Sequence, residues 1–383
     1  MTRRGDLISR LASLHWFLLL TVLVLATMGV AVLFSAGWSP FDPTTNGARI
    51  NADLAINHGV RFLLFLMIAL AAALVPLRIW ASLAFPAYFI GVILLIGVDL
   101  FGVVVKGERW LQLGPIRIQP SELMKLAVPL ALARYYHQMW EARRRGFWIH
   151  VWALAIVMIP TVLVLRQPDL GTALMILGTG CAVIFFAGIN LYVVAGVIAL
   201  LIASAPLVYF FGLHDYQRER VNTMFNPEAD PLGTGYQLQQ ALIAIGSGGA
   251  GGKGYMEGSQ KQLDYIPEQH TDFIFTIIAE EFGFAGSMTV LVIWALVLVQ
   301  GLSIASRSAS RFGALAAAGF TSTLFLYVGI NIGMVIGLLP VVGIPLPLIS
   351  YGGTVMMTVM IGFGLLMAIH IDRDEQMALR GIL

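Results

Sequence analysis

The sequence predicts an all-α polytopic membrane protein, with about ten transmembrane helices and one large loop between the seventh and eighth. Three observations carry that expectation. The 383 residues are 58% hydrophobic and only 11% charged, whereas an ordinary soluble chain is about 25% charged, so no soluble core could hide the apolar surface. Apolar runs of about 20 residues, the length that crosses a bilayer, recur along the chain. Arginine clusters fall at every second end of those runs. A net charge of +2 gives no indication of nucleic-acid binding.

The first element is a basic leader, MTRRGDLISRLASLHW, running into about 20 apolar residues. That run is longer than the apolar region of a cleavable signal peptide and no A-x-A site follows, so it reads as a retained first helix. The expected spans are about 14–36, 59–77, 80–101, 121–138, 148–166, 170–188, 191–212, 273–302, 313–338 and 352–371. Arg3, Arg4 and Arg10 precede the first, Arg143 to Arg145 follow the fourth, Arg307 and Arg311 the eighth, and Arg373 and Arg380 the tenth. Most acids between spans, Asp42, Asp53, Asp215, Glu228, Asp230, Glu257, Asp264 and Glu268 among them, fall on the other side. The positive-inside rule then makes the arginine side and both termini cytoplasmic. Residues 1–383 read as one transmembrane domain, with the outer loop at 213–271. Within that loop, Tyr236 to Ile245 has an apolar face at helical spacing and reads as a short interfacial helix.

Gly246, Gly248 and Gly251 match G-x-G-x-x-G, but no strand precedes them, and Gly254 follows Lys253 where a phosphate loop needs Ser or Thr. The glycines read instead as backbone free to approach a ligand or the bilayer surface. The single cysteine, Cys181, excludes an internal disulfide and reads as a small buried apolar residue.

Ionisable groups in or at the ends of spans are costly, and so point to a protein interior or a watery cavity. Glu122 and Lys125 are three residues apart and share a helix face: a structural ion pair, or a pair whose lysine also meets an anionic headgroup. Asp169 stands at the start of the sixth span, as a helix-terminal charge or a cavity residue, with Arg166 a possible partner. Asp99 reads as interfacial.

The stretch PEQHTDFIFTIIAEEFGFAG, Pro267 to Gly286, turns from polar loop into apolar helix while keeping four ionisable groups. Asp272, Thr276, Glu280 and Gly283 share one face, so the stretch reads as a polar stripe running inward from an outer mouth. Asp272 tops it as a helix cap or an active acid, beside His270. Glu280 and Glu281 are expected about two turns deeper, in structural hydrogen bonds or ion pairs. Outward cations accompany them: Lys106, Arg109 and Arg117 around Trp110, and Arg218 and Arg220 in DYQRERV. Arginines on the outer side run against the positive-inside rule, and a phosphate near the outer leaflet would explain them.

These segments resemble the SEDS family of bacterial shape, elongation, division and sporulation proteins. The matching pieces are GERWLQLGPIRIQPSELMKLAVP, QPDLGTAL, DYQRERV, NPEADPLGTGYQLQQALIAIGSGGAGGKG, PEQHTDFIFTIIAEEFGFAG and LLPVVGIPLPLISYGGT, in family order over about residues 107–354. The last piece and the short tails are more similar to the RodA branch than to the FtsW branch. The resemblance implies a peptidoglycan glycosyltransferase that polymerises lipid II at the outer leaflet beside a class B penicillin-binding protein. It further implies an essential acid at Asp272, important polar positions at Glu122, Lys125 and Asp169, and a loop tryptophan at Trp110. A single inverting displacement, with Asp272 as general base, needs one carboxylate. The expected cations for the leaving pyrophosphate are Lys125, Arg109, Arg218 and Arg220. No ligand set demands a metal, although a divalent cation, Mg or Mn, could assist. The alternative from another class is a lipid II flippase, which needs a polar route across the full membrane thickness.

Overall fold

The structure is a computed structural model that describes residues 7–39, 49–101, 103–105, 108–113, 116–144, 146–230, 233–259 and 268–379. A short α1 (Leu7–Ala12) leads into α2 (Trp16–Ala36), α3 (Asp53–Ala73) and α4 (Leu77–Phe101). Then come α5 (Pro120–Glu141), α6 (Phe147–Leu165), α7 (Leu170–Phe186) and α8 (Leu191–Leu207). Two shorter helices, α9 (Asp215–Phe225) and α10 (Thr234–Gly248), precede α11 (Ile274–Arg307), α12 (Arg311–Val335) and α13 (Gly353–Leu379). The ten expected spans all appear as helices, within a few residues at most ends. Eight of them are long and apolar enough to cross a membrane. α7 is apolar but shorter, and α5 carries Glu122, Lys125 and Arg134.

Local chemistry sets several starts. Pro120 opens α5, where a missing N–H costs nothing. Asp169, Asn190 and Ser310 cap α7, α8 and α12 by accepting backbone N–H groups at 2.9, 2.9 and 3.0 Å. The region expected as a plain loop after α4 holds a small antiparallel meander, β3 (Val103–Val105), β4 (Glu108–Leu113) and β5 (Ile116–Ile118). A two-stranded pair, β1 (Trp38–Ser39) and β2 (Arg49–Ile50), follows α2.

The centre of the bundle is α5, α7 and α12, with α13 packed against α3. The apolar window of α13 is 78% buried, that of α8 (continued to Gly212) 0%. A membrane bundle presents apolar side chains outward as well as inward, which is why Cys181, expected to be buried, is exposed on α7. Past Pro206, α8 widens into a π turn, Val208–Gly212, and Arg218 donates to the freed carbonyls of Tyr209 and Phe210 at 2.9 and 2.6 Å.

Gly283, at φ 64° and ψ −157°, divides α11 into two helices. The glycine-rich run after α10 docks on this break. Lys253 and Gly254 N–H donate to the carbonyls of Glu280 and Glu281, both at 3.0 Å, while Phe284 and Ala285 N–H donate to Gly249 and Ala250 carbonyls at 2.9 and 3.1 Å. The groups orphaned by breaking one helix and starting another are thereby satisfied. A Cβ on Gly252 would lie 2.1 Å from the Glu281 carbonyl oxygen, so backbone meets backbone here. The run therefore approaches protein, and not the ligand or bilayer surface expected from the sequence, because a helix break supplies the unpaired groups that bare backbone can reach.

Candidate active site

A cavity of about 570 Å³ opens at the end of the bundle where α5, α7 and α13 begin. It gathers residues from six regions of the chain: Glu122 and Lys125 from α5, Asp169 from α7, Arg220 from α9, Gln237 from α10, Asp272 before α11, and the segments 341–345 and 351–355.

Glu122 and Lys125 form the ion pair that their spacing allows, at 2.5 Å, with side chains only 5% and 2% exposed. Tyr327 from α12 closes the arrangement. Its hydroxyl donates to Glu122 Oε2 at 2.7 Å and accepts from Lys125 Nζ at 3.1 Å. The ammonium also sits 4.7 Å from the Tyr327 ring centroid. A lysine buried this deeply stays ordered because each charge has partners in a poorly solvated site. Nothing in the sequence stretch around Glu122 pointed to Tyr327, which is contributed from 202 residues beyond Lys125.

Asp272 is half-buried at the cavity wall, and its backbone is pinned residue by residue. Tyr351 N–H donates to the His270 carbonyl at 2.9 Å, Ser350 Oγ to the Thr271 carbonyl at 2.6 Å, and Asn331 Nδ2 to the Asp272 carbonyl at 2.8 Å. Asn331 also donates to the Ile344 carbonyl at 2.7 Å. These bonds tie the HTDF segment to the GIPLPLISYGGT segment, two motifs that sequence reading places together only as a shared resemblance. Asn331, Ser350 and Tyr351 were not singled out from the sequence, since their contribution depends on a contact across the chain. Gly343, at φ 73°, leaves room beside the acid: a Cβ there would stand 3.4 Å from Asp272 Oδ2.

Asp169 lines the cavity while its carboxylate accepts the Thr172 N–H at 2.9 Å, so it is the helix cap of one reading and the cavity residue of the other. Arg166 is exposed and makes no ion pair with it. Arg220 lines the cavity and donates to the Val341 carbonyl at 3.1 Å. Arg218 does not line it, being held at the π turn and 3.7 Å from Asp215. His270 stacks edge-on to Tyr351 at 6.4 Å between centroids, behind the lining. Arg109 and Trp110 lie on β4, but their side chains fall outside the described residues, as do Lys106 and the Arg117 side chain.

The polar stripe takes a different course from the one expected. Glu281 accepts from Ser35 Oγ at 2.5 Å, and Ser35 is in the last turn of α2. Glu280 pairs with Lys253 at 2.7 Å. Gln300 reaches Thr21 at 3.4 Å, so the second half of α11 runs antiparallel to α2, with Glu281 at the end where α2 finishes. The Asp272 carbonyl, by contrast, is bonded one turn inside α12. Glu280 and Glu281 therefore lie toward the end of the bundle rather than two turns deeper, because the break at Gly283 separates the helix bearing them from the helix that spans. Phe273, Ile274, Ile277 and Ile278 are all buried against protein.

Among the described residues, no group of three or more His, Cys, Asp or Glu side chains is placed to hold a metal ion.

Comparison with known proteins adds three findings. The family model for FtsW, RodA and SpoVE, described as cell cycle protein, matches residues 15–375. The peptidoglycan glycosyltransferase MrdB of Escherichia coli (strain K12) is 46% identical over 312 residues, covering 80% of this chain and 83% of MrdB. The rod shape determining protein RodA of Thermus thermophilus superposes with a TM-score of 0.67 at 29% identity, over 94% of this chain and 97% of that one. A chain from a peptidoglycan synthase complex that coordinates polymerization and crosslinking superposes with a TM-score of 0.78 at 31% identity, over 94% and 98%.

Proposed function

This chain belongs to the FtsW/RodA/SpoVE family of integral membrane proteins and is a peptidoglycan glycosyltransferase; from that premise we propose that it polymerises lipid II for cell elongation and rod shape, in the cavity around Asp272. The observation that carries the reading is the convergence of an acid, Asp272, with a buried cation, Lys125, and a second cation, Arg220, on one open cavity.

In the reaction we propose, Asp272 removes the proton from the 4-hydroxyl of the acceptor sugar. That oxygen attacks the anomeric carbon of the donor. The bond from that carbon to the pyrophosphate breaks, and undecaprenyl pyrophosphate leaves with the electron pair. One carboxylate suffices because an α-linked donor becomes a β-linked product in a single inversion. Lys125 and Arg220 stabilise the charge that develops on the pyrophosphate. Glu122 and Tyr327 hold the ammonium in place, and Asp169 orders the start of α7 at the wall. The pyrophosphate oxygens are hard ligands that would carry a divalent cation such as Mg or Mn into the cavity; titrating EDTA into the assay measures that contribution.

The cavity faces the periplasm in this reading, with both termini cytoplasmic in the inner membrane, since the arginine-rich loops cluster at the opposite end. A class B penicillin-binding protein is the proposed partner, a pairing supported by the synthase complex that the fold matches. Below the cavity, α5, α7 and α12 pack apolar side chains such as Val128, Leu132, Ile176 and Leu324, which favours chemistry at one surface over a transbilayer route. The deciding experiment supplies labelled lipid II to the purified protein with its cognate partner in liposomes. Glycan polymer from the wild type and none from Asp272→Asn supports the reading. Transbilayer movement of lipid II without polymer would replace it with the flippase.

A further inference from the structure

A second cavity, about 310 Å³, lies at the opposite end of the same helices. Along α5, Arg134 is about 18 Å from Glu122 at 1.5 Å per residue, and along α13 Asp372 is about 27 Å from Thr354. The second cavity is formed by the start of α4, the last turns of α5, the start of α12 and the end of α13. Its ionisable lining is Arg78, Arg134, His137 and Asp372.

This charge set is unbalanced. Neither Arg78 nor Arg134 makes a side-chain hydrogen bond or an ion pair within 4 Å among the described residues. Asp372 accepts from Gln376 at 3.0 Å instead. Two guanidinium groups against one carboxylate leave one positive charge, which matches a single phosphate monoanion. His137 adds a further polar group: its Nε2 faces Glu141 at 3.2 Å, while its Nδ1 is buried without a partner. The contrast with the first cavity is direct, because there Lys125 is closed off by Glu122 and Tyr327.

The level of the cavity identifies the source of the anion. Trp140, at the end of α5, and Trp148, at the start of α6, are 52% and 73% exposed at this end of the bundle. Exposed tryptophans collect at the headgroup layer. Basic pockets between membrane helices at that depth suit lipid phosphates, which a planar guanidinium binds through two parallel hydrogen bonds. We propose that the cavity between Arg78 and Arg134 binds the phosphate of an anionic lipid headgroup, at the end of the protein remote from the glycan chemistry.

The test is native mass spectrometry of the purified full-length protein, titrated with phosphatidylglycerol or phosphatidylcholine in neutral detergent. The wild type retains phosphatidylglycerol about tenfold or more over phosphatidylcholine, and the double substitution Arg78→Gln with Arg134→Gln brings the two lipids level. Asp372→Asn strengthens phosphatidylglycerol retention by removing the opposing carboxylate, a gain that a misfolded protein does not produce. Equal retention of both lipids by the wild type, or unchanged selectivity in the double variant, overturns the proposal. Millimolar inorganic phosphate is added in a separate arm. Phosphate binding without phosphatidylglycerol retention overturns the lipid as the source, whereas retention of the lipid in its presence supports it.

Discussion

Asp272 and Glu281 stand nine residues apart in one motif, and the structure gives them opposite circumstances. Asp272 is half-buried on an open cavity, with its backbone held by Asn331 and its neighbours' carbonyls by Ser350 and Tyr351. Glu281 is 1% exposed and bonded to Ser35, and Glu280, equally buried, to Lys253. An acid that acts on a substrate must keep access to it while its position is fixed from behind. An acid that only holds helices together gains most when its surroundings are sealed. The same side-chain chemistry thus separates into a reactive group and a fastening according to which side of the Gly283 break it occupies.

The largest expected effect tests that division at its active end. Asp272→Asn keeps the shape of the side chain and removes the base, so polymerisation falls by about 10²–10⁴-fold, the usual worth of a general base. Its thermal stability stays close to wild type, and a glycan ladder of near-normal intensity would falsify the base assignment. Lys125→Met comes next, since it leaves Glu122 charged and unpaired in a buried site, at a cost of about 3–5 kcal/mol. Adding Glu122→Gln to it restores much of the melting temperature but not the polymer yield; recovery of both would mean that the pair is only structural.

The fastening end is tested by Glu280→Gln, which strands the Lys253 ammonium and costs about 1–3 kcal/mol. The folded fraction of that variant polymerises normally per molecule, so a fall in specific activity matching Asp272→Asn would erase the comparison. Gly283→Ala is expected to destabilise by about 1–3 kcal/mol from its positive φ alone. A clash adds to this, because its Cβ would stand 2.3 Å from the Gly252 nitrogen. The smallest contrast is between two arginines of one helix. Arg220→Gln weakens catalysis about 10-fold through loss of one charge-stabilising group, while Arg218→Gln acts on stability alone. Equal activity losses would put both at the pyrophosphate.

The spans were legible because crossing a bilayer requires about 20 apolar residues in a row, a local property that needs no partner. Glu122 and Lys125 were legible as a pair because three-residue spacing puts them on one helix face. Asp169 remained open between cap and cavity residue, and both descriptions hold at once. The glycine run after α10 was misread, since its use depends on where a distant helix breaks.

The sequence by itself determined the membrane class, the number and order of the spanning helices and the acidic motif at Asp272, all of which are written in contiguous composition and short-range spacing. Only the tertiary structure decided that Tyr327 completes the buried pair, that Asn331 and Ser350 fix the Asp272 segment, that Glu280 and Glu281 turn away from the cavity, and that Arg78 and Arg134 share a pocket. Those outcomes rest on contacts between residues far apart in the chain, and no local pattern constrains which helix faces meet.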